Sequence, residues 1–150
     1  MTNSPHPKRR AVKTFRPLFL VDTNILLDVI SNKDNEHTRW SMATLSECIE
    51  QGEPAINQII YAEAALNFPT LQDAETALLD YRKLSLPWEA AFIASKAYAL
   101  YKKRGGARAT LMPDFYIGAH ATFSRLTLVT RDRGYQNYFP TLKVISPNSR

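Results

Sequence analysis

The sequence predicts an α/β fold with a central, mainly parallel sheet flanked by helices. Two observations carry this prediction: short apolar runs, such as residues 18–21 and 126–130, have the length of buried strands, and segments with helical spacing of apolar residues lie between them. Alternation of such elements is typical of a parallel sheet covered by helices. The chain has 150 residues, 45% of them hydrophobic, so we predict one globular domain with one core.

Local signals place the individual elements. Asn57 is a good N-cap for the helix that begins with QIIYAEAAL, Gly105 lies near a helix end, and Pro113 opens a further helix. The predicted elements are, in chain order, a strand at 18–21, helices at 24–30 and 37–51, a strand at 54–57, helices at 58–66, 70–84, 89–103 and 113–123, and strands at 126–130 and 142–145.

The charges of the chain are divided unevenly along it. Residues 1–16 carry five cations and no acid, residues 17–89 carry four cations and twelve acids, and residues 90–150 carry ten cations and two acids. A basic half is what a polyanion such as nucleic acid would meet, although an ordinary solvated surface explains the charge equally well. The two acids of the basic half are Asp114 and Asp132.

The composition also predicts the domain organisation and the cellular compartment. We expect residues 1–17 to form a flexible basic extension, residues 18–147 the folded domain and residues 148–150 a C-terminal tail. The single cysteine, Cys48, excludes an internal disulfide and a thiolate zinc site, and we expect it to lie in the core. No apolar run has the length of a membrane span and no secretory signal is recognisable, so we expect a soluble, cytoplasmic protein.

Two aspartates follow predicted strands. Asp22 comes directly after the apolar strand 18–21, and Asp132 comes two residues after the strand 126–130. Ligands of open parallel sheets bind just outside the carboxyl ends of the strands. Both carboxylates are therefore predicted to reach the same crevice.

Two further acids lie on helix faces that should be apolar. Glu63 comes three residues after Ile60 and four after Ile59, and Asp114 shares a stripe with Ile117 and its neighbours. Each of the four acids, taken alone, has an alternative reading as a helix cap or a salt-bridged residue. Their joint occurrence favours one acidic site.

Four converging carboxylates would repel one another unless a cation lies among them. Carboxylate oxygens favour Mg²⁺ or Mn²⁺, and the sequence offers no Cys/His cluster for zinc. Such a metal can orient and acidify a water and stabilise charge developing on a phosphodiester. Asn24 and Thr130 lie two residues from Asp22 and Asp132 and are candidates to position a carboxylate or a water; a helix cap and an exposed strand threonine are the alternatives.

Basic side chains of the second half could attract a phosphate backbone, although some of them will only form a solvated helix face. The candidates are Lys102, Lys103, Arg104, Arg108, Arg131 and Arg133. Tyr135, Tyr138 and Phe139 could stack on bases, but aromatic residues beside a final strand are more typical of a core.

With these residues in place, the chain resembles a PIN-domain ribonuclease, and specifically a VapC-type toxin of a toxin–antitoxin pair. The resemblance covers residues 18–147 and is carried by LFLVDTNILL, IIYAEAAL, MPDFYIGAHA and LTLVTRDRGYQNYF. It implies a PIN-like three-layer sandwich and a Mg²⁺ or Mn²⁺ site formed by Asp22, Glu63, Asp114 and Asp132, with Asn24 and Thr130 nearby. It also implies endonucleolytic cleavage of RNA, a homodimer and a small antitoxin partner.

Other classes fit less well. An aspartate-nucleophile phosphatase would offer a second Asp where Asn24 stands, and a dinucleotide-binding domain needs a glycine-rich turn that DTNILL lacks. The remaining alternative is a catalytically inactive PIN scaffold that binds RNA or a protein. His120 lies six residues after Asp114, so the two should face differently on their helix, and we interpret His120 as a structural or surface residue.

Overall fold

The computed structural model describes residues 16–147, so the expectations for residues 1–15 and 148–150 lie outside the described part. This part of the chain contains six α-helices and five strands. They are β1 (Leu18–Val21), α1 (Thr23–Ser31), α2 (Glu36–Gln51), β2 (Glu53–Ile56), α3 (Gln58–Ala65), α4 (Leu71–Ala77), β3 (Arg82–Lys83), α5 (Trp88–Lys103), α6 (Pro113–Phe123), β4 (Thr127–Val129) and β5 (Lys143–Ile145), with a short 3-10 helix at Tyr135–Asn137 between the last two strands.

The strands form one sheet in the order β3-β2-β1-β4-β5, and every adjacent pair is parallel. β1 is central: Leu20 is paired with Ala55 of β2 on one side and with Leu128 of β4 on the other. The predicted α/β class with a parallel sheet flanked by helices is confirmed. Because all strands are parallel, the residues that follow β1 and β4 emerge at the same edge of the sheet.

The core lies on the central strands and on α6. Leu20, Val21, Leu128 and Val129 are completely buried. Helix α6 is buried along most of its length, and α5 packs against it through the alanines Ala90, Ala94 and Ala97. Small side chains of this kind allow two helices to pack closely.

One predicted element is wrong. The helix expected at 70–84 ends at Ala77, and β3 follows, with Arg82 paired with Ala55 of β2. Two exposed basic residues carry no apolar strand pattern, so the sequence offered no signal for β3; it forms because the edge of β2 is available for pairing. The other elements agree with the prediction to within about two residues at their ends, which is the usual uncertainty of element boundaries.

A neutral polar pair lies in the core at the start of α3. Asn57 caps this helix, since its side-chain oxygen accepts a hydrogen bond from the backbone N–H of Ile60, and its amide nitrogen donates to Nδ1 of His120 at 3.0 Å. His120 is 2% exposed, and burial lowers its pKa. Of the two roles predicted for His120, the structural one is therefore confirmed.

Cys48 is buried on α2, as expected. No helix within residues 16–147 is long and apolar enough to span a membrane.

Candidate metal centre

Asp22 lies where β1 passes into α1, at the centre of the sheet edge. It is 3% exposed and is the N-cap of α1: one carboxylate oxygen accepts a hydrogen bond from the backbone N–H of Thr23 at 2.8 Å. The other oxygen accepts from the hydroxyl groups of Thr130, at 2.7 Å, and Tyr135, at 2.9 Å. With the side-chain amide of Asn24, which lies 3.4 Å away, four donors hold this buried carboxylate in one orientation.

The hydroxyl group of Tyr135 also reaches a second acid. Its oxygen lies 3.3 Å from an oxygen of Asp114, which stands in the first turn of α6. Asp114 itself is exposed. Since a phenol has one proton to donate, it cannot hydrogen-bond to both carboxylates at once. Two carboxylates therefore share a single donor, and negative charge is in excess at this point.

The remaining two predicted acids are connected to the same sheet edge. Thr23, adjacent to Asp22, donates its hydroxyl hydrogen to Glu63 of α3 at 2.7 Å. The backbone N–H of Asp132 donates to the Thr130 hydroxyl oxygen at 3.0 Å, and the Asp132 carboxylate accepts from the backbone N–H of Gly134 at 2.8 Å. The fold thus brings Asp22, Glu63, Asp114 and Asp132 into one region.

The pKa values reflect this concentration of acid. Burial raises the pKa of Asp22 to about 6, against the lowering effect of its hydrogen bonds, and Asp114 adds to the increase. The pKa of Asp114 is raised by partial loss of hydration and then by the charges of Asp132 and Glu63. Burial and the carboxylates also raise the pKa of Tyr135, so its hydroxyl stays protonated at neutral pH. Each shift favours the protonated form of the group, because burial and the neighbouring carboxylates disfavour a further negative charge.

The two predicted supporting residues join the same network. The side-chain amide of Asn24 lies 3.3 Å from the Thr130 hydroxyl and 3.4 Å from Asp22, and its oxygen accepts from the backbone N–H of Arg131. Asn24 thereby ties α1 to the segment after β4. Thr130 is completely buried, so its alternative reading as an exposed strand threonine is wrong.

Arg131 has a different contact from the one predicted. Its guanidinium group donates two hydrogen bonds to Asp28 of α1, at 2.7 and 3.1 Å, and Asp28 also accepts from the hydroxyl of Ser41 on α2. The side chains of this ion pair are 27% and 14% exposed. Arg131 is therefore held in a partly buried ion pair that anchors the segment carrying Asp132, and an RNA phosphate would have to compete with Asp28 for it.

The other predicted basic residues are exposed. Lys102 and Lys103 occupy the last turn of α5, and the Arg104 guanidinium lies over the ring of Tyr138, 5.5 Å from its centre. Arg108 is near enough to Asp114 to lower the pKa of that carboxyl. Arg133 is also exposed.

Tyr135 lies in the core, as the preferred interpretation of the sequence expected, but its contact with the acids was not predicted. It is 5% exposed and Phe139 is 4% exposed, so neither is available to stack on a base, whereas Tyr138 is half-buried. The contact of the Tyr135 hydroxyl with two acids depends on how the 3-10 helix packs against α6. A tyrosine three residues after Asp132 is the only trace of this contact in the sequence.

The donor chemistry of the site fits a hard divalent cation. Its acidic side chains supply carboxylate oxygens, which Mg²⁺ and Mn²⁺ prefer, and the excess negative charge would be neutralised by such an ion. Within residues 16–147, no three or more His, Cys, Asp or Glu side chains are grouped as closely as a metal ion requires. The Tyr135 hydroxyl lies between Asp22 and Asp114 and contacts both carboxylates.

Comparisons with known proteins agree with the fold. Solved structures of similar fold include VapBC2 of Rickettsia felis bound to a promoter DNA fragment (17% identity, TM-score 0.66, covering 86% of this chain and 98% of that one) and FitAcB of Neisseria gonorrhoeae (22% identity, TM-score 0.64, covering 86% and 97%). A toxin–antitoxin complex of Klebsiella pneumoniae is 27% identical, with TM-score 0.57 and coverage of 87% and 98%.

The comparison with curated proteins gives no match. The sequence model of the PIN domain matches residues 19–138, which include all four acids of the site. The chain belongs to the PIN-domain family.

Proposed function

We propose that the chain is a metal-dependent endoribonuclease and acts as the toxin of a VapBC-type toxin–antitoxin pair. Membership of the PIN-domain family and the likeness to the Klebsiella pneumoniae toxin–antitoxin complex support this proposal. The observation that carries it is the excess of negative charge at the sheet edge, where Asp22 and Asp114 share the one proton of Tyr135. Asp22 stabilises α1 as its N-cap, but an uncharged Asn or Ser could cap the helix equally well, whereas a site that binds a cation needs the carboxylate.

In the proposal, Asp22, Glu63, Asp114 and Asp132 hold Mg²⁺ or Mn²⁺. The ion would supply an acidified water and stabilise charge on the phosphodiester. The chain itself orients the acids: Thr130 and the backbone N–H of Thr23 fix Asp22, and the Thr23 hydroxyl fixes Glu63. Asn24 and Thr130 act as supporting residues, because they join the segments on which Asp22 and Asp132 lie.

The proposed substrate is RNA. Lys102, Lys103 and Arg104, at the end of α5, and Arg108, beside Asp114, are exposed and would contact the phosphate backbone. Arg133 is a further candidate next to Asp132. Arg131 remains a candidate only if phosphate displaces it from Asp28, so we expect it to contribute least.

The proposal also includes a cytoplasmic location and two protein partners. The partners are a second copy of the chain and an antitoxin that occludes the acidic site. Large apolar side chains exposed on α5, Trp88 at 90% and Phe92 at 64%, support coverage of this helix by protein, because soluble monomers rarely expose such groups together. Light scattering of the purified chain would test for the second copy.

An inactive scaffold that binds RNA or protein is the second candidate. The observation that favours it is that, within residues 16–147, no three His, Cys, Asp or Glu side chains are grouped closely enough to hold a metal ion. The two candidates differ in one respect: only the nuclease cuts RNA.

The test is incubation of the purified chain with total bacterial RNA in Mn²⁺ or Mg²⁺ and in EDTA, followed by mapping of new 5′ ends. The Asp22→Asn variant runs in parallel, and Asp34→Asn, which alters an exposed aspartate paired with Arg39, is the matched control. We expect discrete cuts that need metal, persist in the control and vanish in Asp22→Asn. A folded chain, free of antitoxin, that makes no cuts in any condition would refute the nuclease and favour the scaffold.

A further inference from the structure

We propose that Tyr135 is a positioning residue of the metal centre and that its hydroxyl group orients the carboxylate of Asp22 for metal binding. This inference rests on the proposed function and extends it to a residue outside the four acids. It starts from the contact of one buried hydroxyl with two acids on different elements of the fold.

The geometry assigns the hydroxyl proton to Asp22. The phenol oxygen lies 2.9 Å from the nearer oxygen of Asp22 and 3.3 Å from that of Asp114. A single proton forms the shorter of the two hydrogen bonds, because charge-assisted bonds of this kind strengthen as they shorten. Asp114, at the exposed rim, is thereby left without that proton and remains available to a cation.

Three side-chain donors then act on the same oxygen of Asp22, the longest contact being that of the Asn24 amide at 3.4 Å. Thr130 donates from the end of β4 and Tyr135 from the 3-10 helix, while the backbone N–H of Thr23 binds the other oxygen. Donors on both oxygens fix the plane of the carboxylate. Removing the Tyr135 hydroxyl leaves this plane less restrained, and groups that orient metal ligands in this way influence metal affinity strongly.

The ring of Tyr135 is held in place independently of its hydroxyl. It packs beside Gly118 of α6, where an added Cβ would lie 3.1 Å from the ring and 2.5 Å from that of Phe139. A glycine one turn after Asp114 therefore makes room for both rings. Because phenylalanine retains the ring and all of this packing, Tyr135→Phe removes the hydroxyl alone.

A matched control lies three residues further on. Tyr138 is half-buried in the same aromatic cluster, packed against Phe115 and Tyr101. Within residues 16–147, no hydrogen bond joins its hydroxyl to a carboxylate. Tyr138→Phe makes the same chemical change near the site without removing a donor from Asp22.

The experiment is a calorimetric titration of the purified wild type, Tyr135→Phe and Tyr138→Phe with Mn²⁺ alone, with no RNA present. We expect Kd for Mn²⁺ to increase about tenfold in Tyr135→Phe and to stay within about twofold of the wild type in Tyr138→Phe. RNA cleavage by Tyr135→Phe should then recover at saturating Mn²⁺, because the acids themselves are intact.

An unchanged or lower Kd in Tyr135→Phe would overturn the inference while leaving the proposed nuclease in place. A loss of thermal stability without a change in Kd would also overturn it, since that result assigns the hydroxyl to the fold. If the wild type binds no Mn²⁺, the proposed function fails and the inference fails with it.

Discussion

Two buried polar groups of this chain differ in their charge. The difference distinguishes a pair with a structural role from a candidate binding site. At the start of α3, Asn57 and His120 form a neutral pair in which the Asn57 amide donates to His120 and its oxygen caps the helix. At the end of β1, the carboxylates of Asp22 and Asp114 both face the hydroxyl of Tyr135, which has a single proton to donate. The first group stabilises the domain as it stands. We propose that the second binds a cation.

Among the changes that test this comparison, we expect Asp22→Asn to have the largest effect, which is on RNA cleavage. Asp22→Asn keeps the size of the side chain but removes its charge, so we expect RNA cleavage to fall by more than about 100-fold, beyond the loss typical of residues that only orient a ligand. Initial rates on one mapped RNA, measured at fixed Mn²⁺, would check this. Cleavage within about threefold of the wild type would remove Asp22 from the site.

Substitution in the neutral pair of Asn57 and His120 should lower the stability of the fold and leave metal binding unchanged. Asn57→Ala removes a helix cap and leaves a buried imidazole nitrogen without its donor, so we expect a loss of about 2–4 kcal/mol in the free energy of unfolding, with Kd for Mn²⁺ unchanged. Asn35→Ala, which removes the exposed cap of α2, should cost only about 1 kcal/mol. Urea unfolding of both variants tests the difference, and equal losses would contradict it.

The pH dependence of stability sharpens the comparison. The pKa of Asp22 is raised to about 6 in the folded chain, so the folded state binds the proton more tightly than the unfolded state does. The stability that this proton confers is present at low pH and is lost as pH rises through about 6. Without metal, Asp22 alone should lower the unfolding free energy by at most about 3 kcal/mol between pH 4 and pH 7.

Urea unfolding at several pH values in EDTA measures this effect as the difference between the wild type and Asp22→Asn, which cannot titrate at this position. A difference that does not change with pH would show that Asp22 is not perturbed.

The smallest effect is expected at the ion pair that anchors the segment after β4. Arg131→Ala leaves Asp28 partly buried without its cation and should cost about 1–3 kcal/mol. Arg39→Ala removes an exposed pair with Asp34 and should cost less than about 1 kcal/mol. Thermal unfolding of the two variants compares them directly. If Arg131 served RNA alone, its substitution would lower cleavage without lowering stability.

Much of the fold and the position of the site could be predicted because the signals are local. The apolar runs of β1 and β4 mark the central strands, and an acid directly after a parallel strand is expected at the ligand-binding edge. Asn57 was recognisable as a cap from its place before an apolar helix. Each of these predictions depends on residues that are neighbours in the sequence.

The parts that could not be predicted depend on long-range contacts. Arg131 meets Asp28 across 103 residues, and Tyr135 meets Asp22 across 113. No local pattern records which acid a distant side chain will find. β3 formed for a similar reason, because its two basic residues complete the edge of β2 and have no strand pattern of their own.

The most direct test of the central claim is the free energy of unfolding of the wild type and Asp22→Asn near pH 7.5, with and without Mn²⁺. Without metal, the variant should be the more stable of the two, because it lacks the buried charge. With Mn²⁺, the wild type should gain stability by binding the ion and the variant should gain much less, so that the order is reversed. Equal responses of the two proteins to Mn²⁺ would contradict the assignment of Asp22 to a metal centre.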